Sequence, residues 1–262
     1  YHIGLFHFPV INKKTAFITG ATSGIGEATA RTLAGNHFNL ILCGRRAERL
    51  ERLAAELGTI TSVITLCFDV RSQEQVFDAV ASLPAEWKTI DVLVNNAGNA
   101  HGLSPVQSGD IADWDAMMDI NVKGLLYVSR AIMPGMVARN AGHIINIGSI
   151  AGKQAYPQGN VYCASKAAVD SITEGMRIDL NPHKIRVTGI HPGLVETEFA
   201  RVRFKGDTER AANTYKGMKP LTGQDIADLI LWILQRPDHV QIADLVVFPT
   251  AQASATVVRR ES

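Results

Sequence analysis

A tyrosine and a lysine, Tyr162 and Lys166, stand four positions apart in the segment NVYCASKA, residues 160–167. If this segment is helical, the two side chains share one face of the helix. A free phenol has a pKa of about 10, and a nearby ammonium lowers that pKa by stabilising the phenolate. We therefore interpret Tyr162 as a general acid and base whose pKa Lys166 lowers. Taken alone, a Tyr–Lys pair on an exposed helix would give the same pattern.

Two further polar residues are candidates for the same site. Ser149 ends the apolar run GHIINIGS, upstream of Tyr162, and its hydroxyl is expected to hydrogen-bond a substrate oxygen. Asn121, in MMDINVKG, is either part of a proton path or an amide that caps or kinks a helix. His101 and His191 lie near loops that could face the site, and we interpret both as structural.

A glycine-rich turn, TGATSGIGEATA, occupies residues 19–30 between a predicted strand and a predicted helix. Glycines at such a turn allow backbone N–H groups to approach a pyrophosphate, and the helix N-terminus adds a favourable dipole. The spacing G-x3-G-x-G differs from the G-x-G-x-x-G fingerprint, and a turn without a ligand is the alternative. The predicted cofactor contacts in this turn are Gly20, Thr22, Ser23, Gly24, Ile25 and Gly26.

The end of the second predicted strand indicates which dinucleotide binds. An acidic residue there would accept hydrogen bonds from the ribose of NAD, but this strand ends in Arg45 and Arg46. Two guanidiniums suit a 2′-phosphate, so we predict NADP(H) as the cofactor; an exposed basic turn is the alternative. Asp69 follows the third strand and is expected to accept from the adenine amino group. The other predicted nucleotide contacts after the third and fourth strands are Val70, Asn96, Ala97 and Gly98.

Elements of two kinds alternate along the chain and must position these residues. The apolar runs, predicted as strands, are 14–20, 38–44, 62–68, 90–96, 142–149, 185–190 and 245–248. The predicted helices are 24–35, 47–57, 72–83, 113–139, 159–180 and 222–235. Runs that are apolar on both faces are typical of a parallel sheet covered by helices on each side. The pattern predicts a single α/β domain, a Rossmann-like doubly wound parallel sheet of about seven strands.

Composition and net charge indicate which kinds of partner are not expected. The chain has 262 residues, of which 46% are hydrophobic and 19% charged, and a net charge of +1. Such a balance gives no electrostatic reason to expect a nucleic acid or a membrane surface as partner. No apolar run reaches the roughly 18 residues of a membrane-spanning helix. The three cysteines are too far apart for a CxxC site, and no metal is predicted.

The chain divides into three predicted parts. Residues 1–13 form an N-terminal extension, residues 14–250 the Rossmann-like domain, and residues 251–262 a C-terminal tail. Within the domain, about 191–217 is long, polar and poorly periodic, which is typical of a substrate lid or of a variable surface loop.

Together, TGATSGIG, NNAG, DINVKG, Ser149 and YCASK resemble the short-chain dehydrogenase/reductase family from about residue 14 to 250. The resemblance implies that Asn121, Ser149, Tyr162 and Lys166 form a catalytic tetrad and that Lys166 also holds the nicotinamide ribose. It also implies that the segment 192–200 lies beside the nicotinamide carboxamide. The cofactor contacts implied in that segment are Pro192, Gly193, Val195 and Thr197.

A narrower resemblance rests on SLPAEWKTIDVLVNNAG, MPGMVARNAGHIINIGS, PGLVETEF and VRFKGD, which are similar to the NADP-dependent 3-hydroxy acid dehydrogenases. It implies oxidation of serine, L-allo-threonine or related 3-hydroxy acids by a cytoplasmic homotetramer. An acid substrate needs a cation for its carboxylate, and of the lid residues Arg201, Arg203 and Lys205 we select Arg203 for a bidentate pair. Two alternatives stay open: the same chemistry on a sugar, polyol, steroid or acyl substrate, and a non-catalytic NADPH-binding regulator.

Overall fold

The computed structural model describes residues 13–261, and its centre is a parallel sheet of seven strands. The strands are β1 (Thr15–Thr19), β2 (Asn39–Gly44), β3 (Val63–Cys67), β4 (Val92–Asn95), β5 (Gly142–Ile147), β6 (Ile185–Pro192), β7 (Val195–Glu196), β8 (Leu221–Thr222) and β9 (Asp244–Val247). The helices are α1 (Gly24–Gly35), α2 (Ala47–Leu57), α3 (Gln73–Ala81), α4 (Ile111–Met118), α5 (Leu125–Arg139), α6 (Ile150–Lys153), α7 (Asn160–Leu180), α8 (Phe199–Arg203), α9 (Thr208–Asn213) and α10 (Gly223–Leu234). The main sheet has the order β3-β2-β1-β4-β5-β6-β9, while β7 and β8 pair separately.

Helices cover both faces of the main sheet, as strands without a polar face require. All five residues of β1 are buried. One apolar cluster packs Leu33 of α1 and Ile230 of α10 against the sheet, and a second packs Val128 of α5 and Val169 of α7. Full burial of an aliphatic side chain of this size contributes about 1.5–3 kcal/mol. The predicted doubly wound sheet of about seven strands is confirmed.

Residues 113–139, predicted as one helix, are three pieces in the structure: α4, a π-helical turn over Asp119–Gly124, and α5. Gly124 packs on Val70, whose methyl group would lie 2.8 Å from a β-carbon at position 124. Asn121 lies within the wide turn and is only 2% exposed. Hydrophobic periodicity does not reveal such a turn, because it shifts the helical pattern by a single residue.

The predicted lid, about 191–217, contains regular structure. β6 continues through Pro192, so the chain leaves the sheet at Gly193 and then forms β7, α8 and α9. The pairing of Val195 with Leu221 joins the two ends of this excursion. The segment is therefore an ordered flap over the sheet edge rather than an irregular surface loop.

The predicted extension and the predicted tail differ in how much of each the structure describes. The extension 1–13 lies outside the described residues except for Lys13. Residues 251–261 of the tail lie against the lid: Arg260 donates to the Thr214 carbonyl at 3.0 Å, and the Glu261 amide donates to the Gly217 carbonyl at 2.7 Å. The tail thus contacts the lid of its own chain.

Within residues 13–261, none of the helices is both long and apolar enough to cross a membrane. Nor does that part of the chain group three or more His, Cys, Asp or Glu side chains in a way that could hold a metal ion.

Candidate active site

A long cavity of about 570 Å³ lies at the carboxyl edge of the main sheet. The sheet order places β1 beside β4, with β2 and β3 on one side and β5 and β6 on the other. In open α/β sheets, the crevice outside the carboxyl ends at such a reversal of strand order is where ligands bind. The cavity runs from Gly20 and Arg45 at one end to Tyr162 and Arg203 at the other. Its volume is within the usual range of small-molecule sites.

The glycine turn forms one wall of this cavity. Gly20 has a φ of +64°, which L side chains rarely adopt, and a β-carbon at Gly26 would collide with the Gly20 carbonyl oxygen. The Asn96 side chain donates to the carbonyls of Thr19 and Gly20 at 2.9 and 3.2 Å, which fixes the turn against the end of β4. A cradle that excludes a β-carbon at the N-terminus of α1 fits a pyrophosphate.

Arg45 and Arg46 differ in their surroundings, which the sequence did not indicate. The Arg46 guanidinium donates within the chain through Nε, Nη1 and Nη2, to Thr22, Ser23 and Glu198. The Arg45 side chain is 56% exposed and only approaches Asp69 at 3.6 Å. Arg45 therefore has donors available, whereas Arg46 joins the glycine turn to the lid. That both guanidiniums contact a 2′-phosphate stays a prediction.

Asp69 lines the cavity next to Val70, as predicted from its position after β3. Its carboxylate accepts from Arg71 at 2.6 Å and lies near Arg45. Partial burial would raise the pKa of Asp69, but the hydrogen bonds and charges of these arginines outweigh it and lower the pKa. The carboxylate is thus an ionised acceptor at the nucleotide end of the cavity.

Tyr162 lies at the other end, near the start of α7, and is 8% exposed. Burial raises the pKa of Tyr162 to about 12, against the opposing effects of the Arg203 charge and of the nearby Ser149 hydroxyl. Ser149 follows β5 and its hydroxyl accepts from the Ala151 amide at 3.1 Å. The structure therefore brings Ser149 and Tyr162 together, as predicted.

Lys166 lies one helical turn after Tyr162 on α7, and its effect on the phenol stays a prediction. Its ammonium donates to the Ile147 carbonyl at 2.9 Å and lies 3.5 Å from where a β-carbon on Gly98 would be. Burial lowers the pKa of Lys166 to about 8, partly offset by Asp170. The Arg203 guanidinium is a cation that opposes the raised pKa of Tyr162. Side chains four positions apart lie on one face of a helix, and here the Lys166 ammonium reaches the carbonyl of Ile147, the last residue of β5.

Asn121 projects from the π-helical turn toward the loop after β4. Its amide donates to the Asn99 carbonyl at 2.8 Å and to the Ser165 hydroxyl at 3.0 Å, and its oxygen accepts from the Asn99 amide at 2.9 Å. These bonds join three elements: the loop after β4, the π-helical turn and α7. Asn121 thus connects these three elements beside the site by hydrogen bonds.

Arg203 comes from α8 in the lid and is surrounded by aromatic rings. Its guanidinium carbon lies 4.7, 5.3 and 5.8 Å from the ring centroids of Tyr162, Phe199 and Tyr156. One nitrogen donates to the Tyr156 hydroxyl at 2.6 Å, whereas Nε is buried without a hydrogen-bond partner in the described chain. Sequence reasoning missed Tyr156 and Phe199, because a tyrosine in a loop and a phenylalanine in a lid carry no pattern of their own.

All but one of the other predicted cofactor contacts line the cavity. These are Thr22, Ser23, Gly24, Ile25, Val70, Asn96, Ala97, Gly98, Pro192, Gly193, Val195 and Thr197. Gly26 lies just behind the Gly20 carbonyl. The tail contributes Gln252, whose side-chain oxygen accepts from the Leu194 amide at 2.8 Å.

The two histidines differ in burial. His191 is 1% exposed at the end of β6, where it contacts Asp170 at 3.0 Å and Asp244. His101 lies outside the main cavity, in a small one beside Asp113, and partial burial lowers its pKa. Neither lines the main cavity.

The chain is similar to a known protein family and to solved structures of that family. A family model described as short chain dehydrogenase matches residues 14–208. The NADP-dependent 3-hydroxy acid dehydrogenase of Salmonella typhi is 49% identical over 239 residues, which make up 91% of this chain and 96% of that protein. Sulfoacetaldehyde reductase 2 of Chromohalobacter salexigens is 44% identical over 246 residues, 93% of this chain and 98% of that protein. The solved closed form of serine dehydrogenase complexed with NADP+ has a TM-score of 0.89 at 45% identity, over 95% of this chain and 100% of that chain.

Proposed function

Because the chain belongs to the short-chain dehydrogenase/reductase family, we propose that it transfers hydride between NADP and a 3-hydroxy acid, with Tyr162 as general acid and base. The substrates in view are serine, L-allo-threonine, 3-hydroxypropionate and 3-hydroxyisobutyrate. NADP, predicted from the arginines after β2, is also in the names of the 3-hydroxy acid dehydrogenase and of the serine dehydrogenase structure.

The position of Arg203 is the observation that supports an acid as the substrate. Its guanidinium lies beside the Tyr162 ring, has a buried Nε without a partner, and forms no ion pair within residues 13–261. A desolvated cation of this kind favours an anion that can accept two parallel hydrogen bonds. A carboxylate held by Arg203 would place the hydroxyl of a short hydroxy acid next to Tyr162 and Ser149.

The cavity walls suit the cofactor in a defined direction. The glycine turn would hold the pyrophosphate, Arg45 the 2′-phosphate, and Asp69 the adenine amino group. Lys166 would hold the nicotinamide ribose, as in the family, and the segment 192–197 would border the carboxamide. When bound, the nicotinamide supplies the hydride chemistry, and the protein supplies position and charge.

The proton is handled by the chain itself. In the oxidation direction, Tyr162 takes the proton of the substrate hydroxyl, and Ser149 hydrogen-bonds the same oxygen. In the reduction direction, Tyr162 returns that proton. Asn121 completes the catalytic group from the π-helical turn, where it holds the loop after β4 against α7. Exact placement of these groups matters, because orientation contributes much of the rate in such reactions.

A second substrate class has its own support. The 44% identity to sulfoacetaldehyde reductase 2 extends over 93% of this chain. A sulfonate presents oxygens to a guanidinium much as a carboxylate does, so the same Arg203 would bind either anion. Sulfonated aldehydes therefore belong beside the 3-hydroxy acids in any test.

We further propose a cytoplasmic homotetramer with a small-molecule substrate and with neither nucleic acid nor membrane as partner. The support is the resemblance to the 3-hydroxy acid dehydrogenases and the net charge of +1. Light scattering of the purified protein tests the assembly, and a monomer would overturn it.

The test of function is turnover of a substrate panel, followed through the absorbance of NADPH. The panel contains L-serine, L-allo-threonine, 3-hydroxypropionate, 3-hydroxyisobutyrate, the isethionate–sulfoacetaldehyde pair, and neutral secondary alcohols. We expect turnover of the anionic substrates with NADP+ and its loss in Tyr162→Phe. Turnover of neutral alcohols alone would overturn the role of Arg203. NADPH binding without turnover of any carbonyl would favour the non-catalytic regulator.

A further inference from the structure

The lid is anchored at its base by one carboxylate and two guanidiniums. Glu198 immediately precedes α8; its Oε2 accepts from Arg46 at 2.7 Å and its Oε1 from Arg49 at 2.8 Å. Both arginines lie at the start of α2, about 150 residues away along the chain. Exposed single ion pairs contribute little, but a carboxylate shared by two guanidiniums is a small network with defined geometry.

The same arginines hold the glycine turn. Arg46 donates to the Thr22 hydroxyl at 2.8 and 3.0 Å and to the Ser23 hydroxyl at 2.8 Å. Arg49 reaches the Thr22 carbonyl at 3.4 Å. A continuous set of polar contacts therefore joins the turn that would bind the cofactor phosphates to Glu198, the residue immediately before the lid helix.

Both ends of α8 contact Tyr162. Phe199 follows Glu198 directly, and its ring lies 5.6 Å from the Tyr162 ring, between centroids. Arg203 ends the same five-residue helix, 4.7 Å from the Tyr162 centroid. A helix this short moves as one piece, so the position of the Glu198 carboxylate sets where Phe199 and Arg203 lie over the site.

The charged side chains around Glu198 and Asp69 have a net positive charge, which favours a bound phosphate. Four guanidiniums, Arg45, Arg46, Arg49 and Arg71, surround the two carboxylates of Asp69 and Glu198. Four positive charges less two negative ones leave an excess of two, which matches a phosphate monoester at neutral pH. A bound 2′-phosphate would therefore complete this charge balance.

We infer that Glu198 is a positioning residue that, through Arg46 and Arg49, couples binding of the cofactor phosphates to closure of α8 over Tyr162. The inference rests on the proposed function. Burial alone would raise the pKa of Glu198, but the two arginines outweigh it and hold the pKa at about 2, so the carboxylate is ionised at neutral pH.

The experiment measures closure without any substrate. Trypsin cleaves after Arg201, Arg203 and Lys205, and the rate of cleavage there is followed by mass spectrometry with and without NADPH. We expect NADPH to slow cleavage of the wild type at least about fivefold, and Glu198→Gln to lose most of that protection. Glu209→Gln, an exposed change in α9 of the same lid, should keep it.

Arg49→Gln should behave like Glu198→Gln, and Arg52→Gln, one helical turn nearer the end of α2, like the wild type. In turnover assays, Glu198→Gln should raise the substrate KM about fivefold while changing kcat less than twofold. Bound NADPH with equal protection in the wild type and in Glu198→Gln, or with no protection of either, would overturn the coupling alone. If the wild type failed to bind NADPH, the proposed function would fall, and the coupling with it.

Discussion

The guanidinium carbon of Arg203 lies 4.7 Å from the centroid of the Tyr162 ring, although the two residues belong to different elements, the lid helix α8 and the sheet-bound helix α7. This contact places the proposed anion-binding group next to the proposed proton-transfer group. It also makes Arg203 a cation that favours the phenolate, against burial, which raises the pKa of the phenol to about 12. In the proposed mechanism, substrate recognition and proton transfer are therefore linked through one side chain.

Replacement of Tyr162 by Phe should remove the acid–base group and little else. We expect kcat to fall by about 10³-fold, the usual contribution of a positioned general acid or base. Binding of NADPH, followed by its fluorescence, should change less than about twofold, because the phenol is not expected to be the main cofactor contact. As a control, Tyr156→Phe removes the hydroxyl that accepts from Arg203 and should mainly raise the substrate KM. A Tyr162→Phe enzyme within tenfold of the wild-type kcat would contradict the assignment.

The rate of oxidation should rise with pH. Oxidation needs the phenolate, and a Tyr162 pKa of about 12 keeps the phenol protonated through neutral pH. Initial rates of oxidation should therefore increase from pH 7 to pH 10, whereas reduction, which needs the phenol, should not increase over that range. Arg203→Gln should shift the rise to higher pH with a neutral alcohol at saturation, because a cation that favours the phenolate is lost. An oxidation optimum at or below pH 7 would rule out this assignment of the base.

Arg203→Gln should discriminate between charged and neutral substrates. Loss of a charge-assisted contact of about 1.5–3 kcal/mol should raise the KM of a hydroxy acid by about ten- to a hundredfold. The KM of a neutral secondary alcohol should change little. Arg201→Gln, in the same helix but exposed, is the matched control and should leave both values unchanged. Equal KM changes for the two substrate classes would mean that Arg203 does not bind the acid group.

Arg45 and Arg46 should have separable effects on the cofactor. Arg45→Gln should weaken NADP+ binding about tenfold or more and leave NAD+ binding nearly unchanged, because its guanidinium is the exposed one. Arg46→Gln should weaken both cofactors, since Arg46 holds the glycine turn through Thr22 and Ser23. Dissociation constants from fluorescence titration measure both. Loss of discrimination in Arg46→Gln alone would reverse the two roles.

Two glycines of α1 should respond in opposite ways to alanine. At Gly26 a β-carbon would collide with the Gly20 carbonyl, so Gly26→Ala should destabilise the fold by about 1–3 kcal/mol and weaken NADPH binding. At Gly35 nothing lies within 4 Å of an added β-carbon, so Gly35→Ala should be neutral or stabilise by up to about 1 kcal/mol. Urea unfolding measures both changes. Similar free energies of unfolding for the two variants would contradict the close approach at Gly26.

Much of the framework follows from local sequence. Apolar runs, helix-length segments between them and glycines at the first turn predict a doubly wound parallel sheet, because each of these patterns is decided by neighbours in the chain. Predicted and observed bounds coincide for α1 and α2, whose periodicity is uninterrupted. The spacing of Tyr162 and Lys166 also predicts correctly that both lie on one face of a helix beside Ser149.

Only the tertiary structure decided which charges act on which groups. Of the lid cations, Lys205 pairs with Asp113 at 2.9 Å, and Arg203 alone reaches Tyr162. Likewise Arg46 donates to Thr22 and Glu198, and Lys166 donates to the Ile147 carbonyl, which are contacts that their positions in the sequence did not indicate. These choices depend on contacts between residues far apart in the chain. Such contacts depend on how the lid packs on the sheet edge, and no local pattern of residue types records that packing.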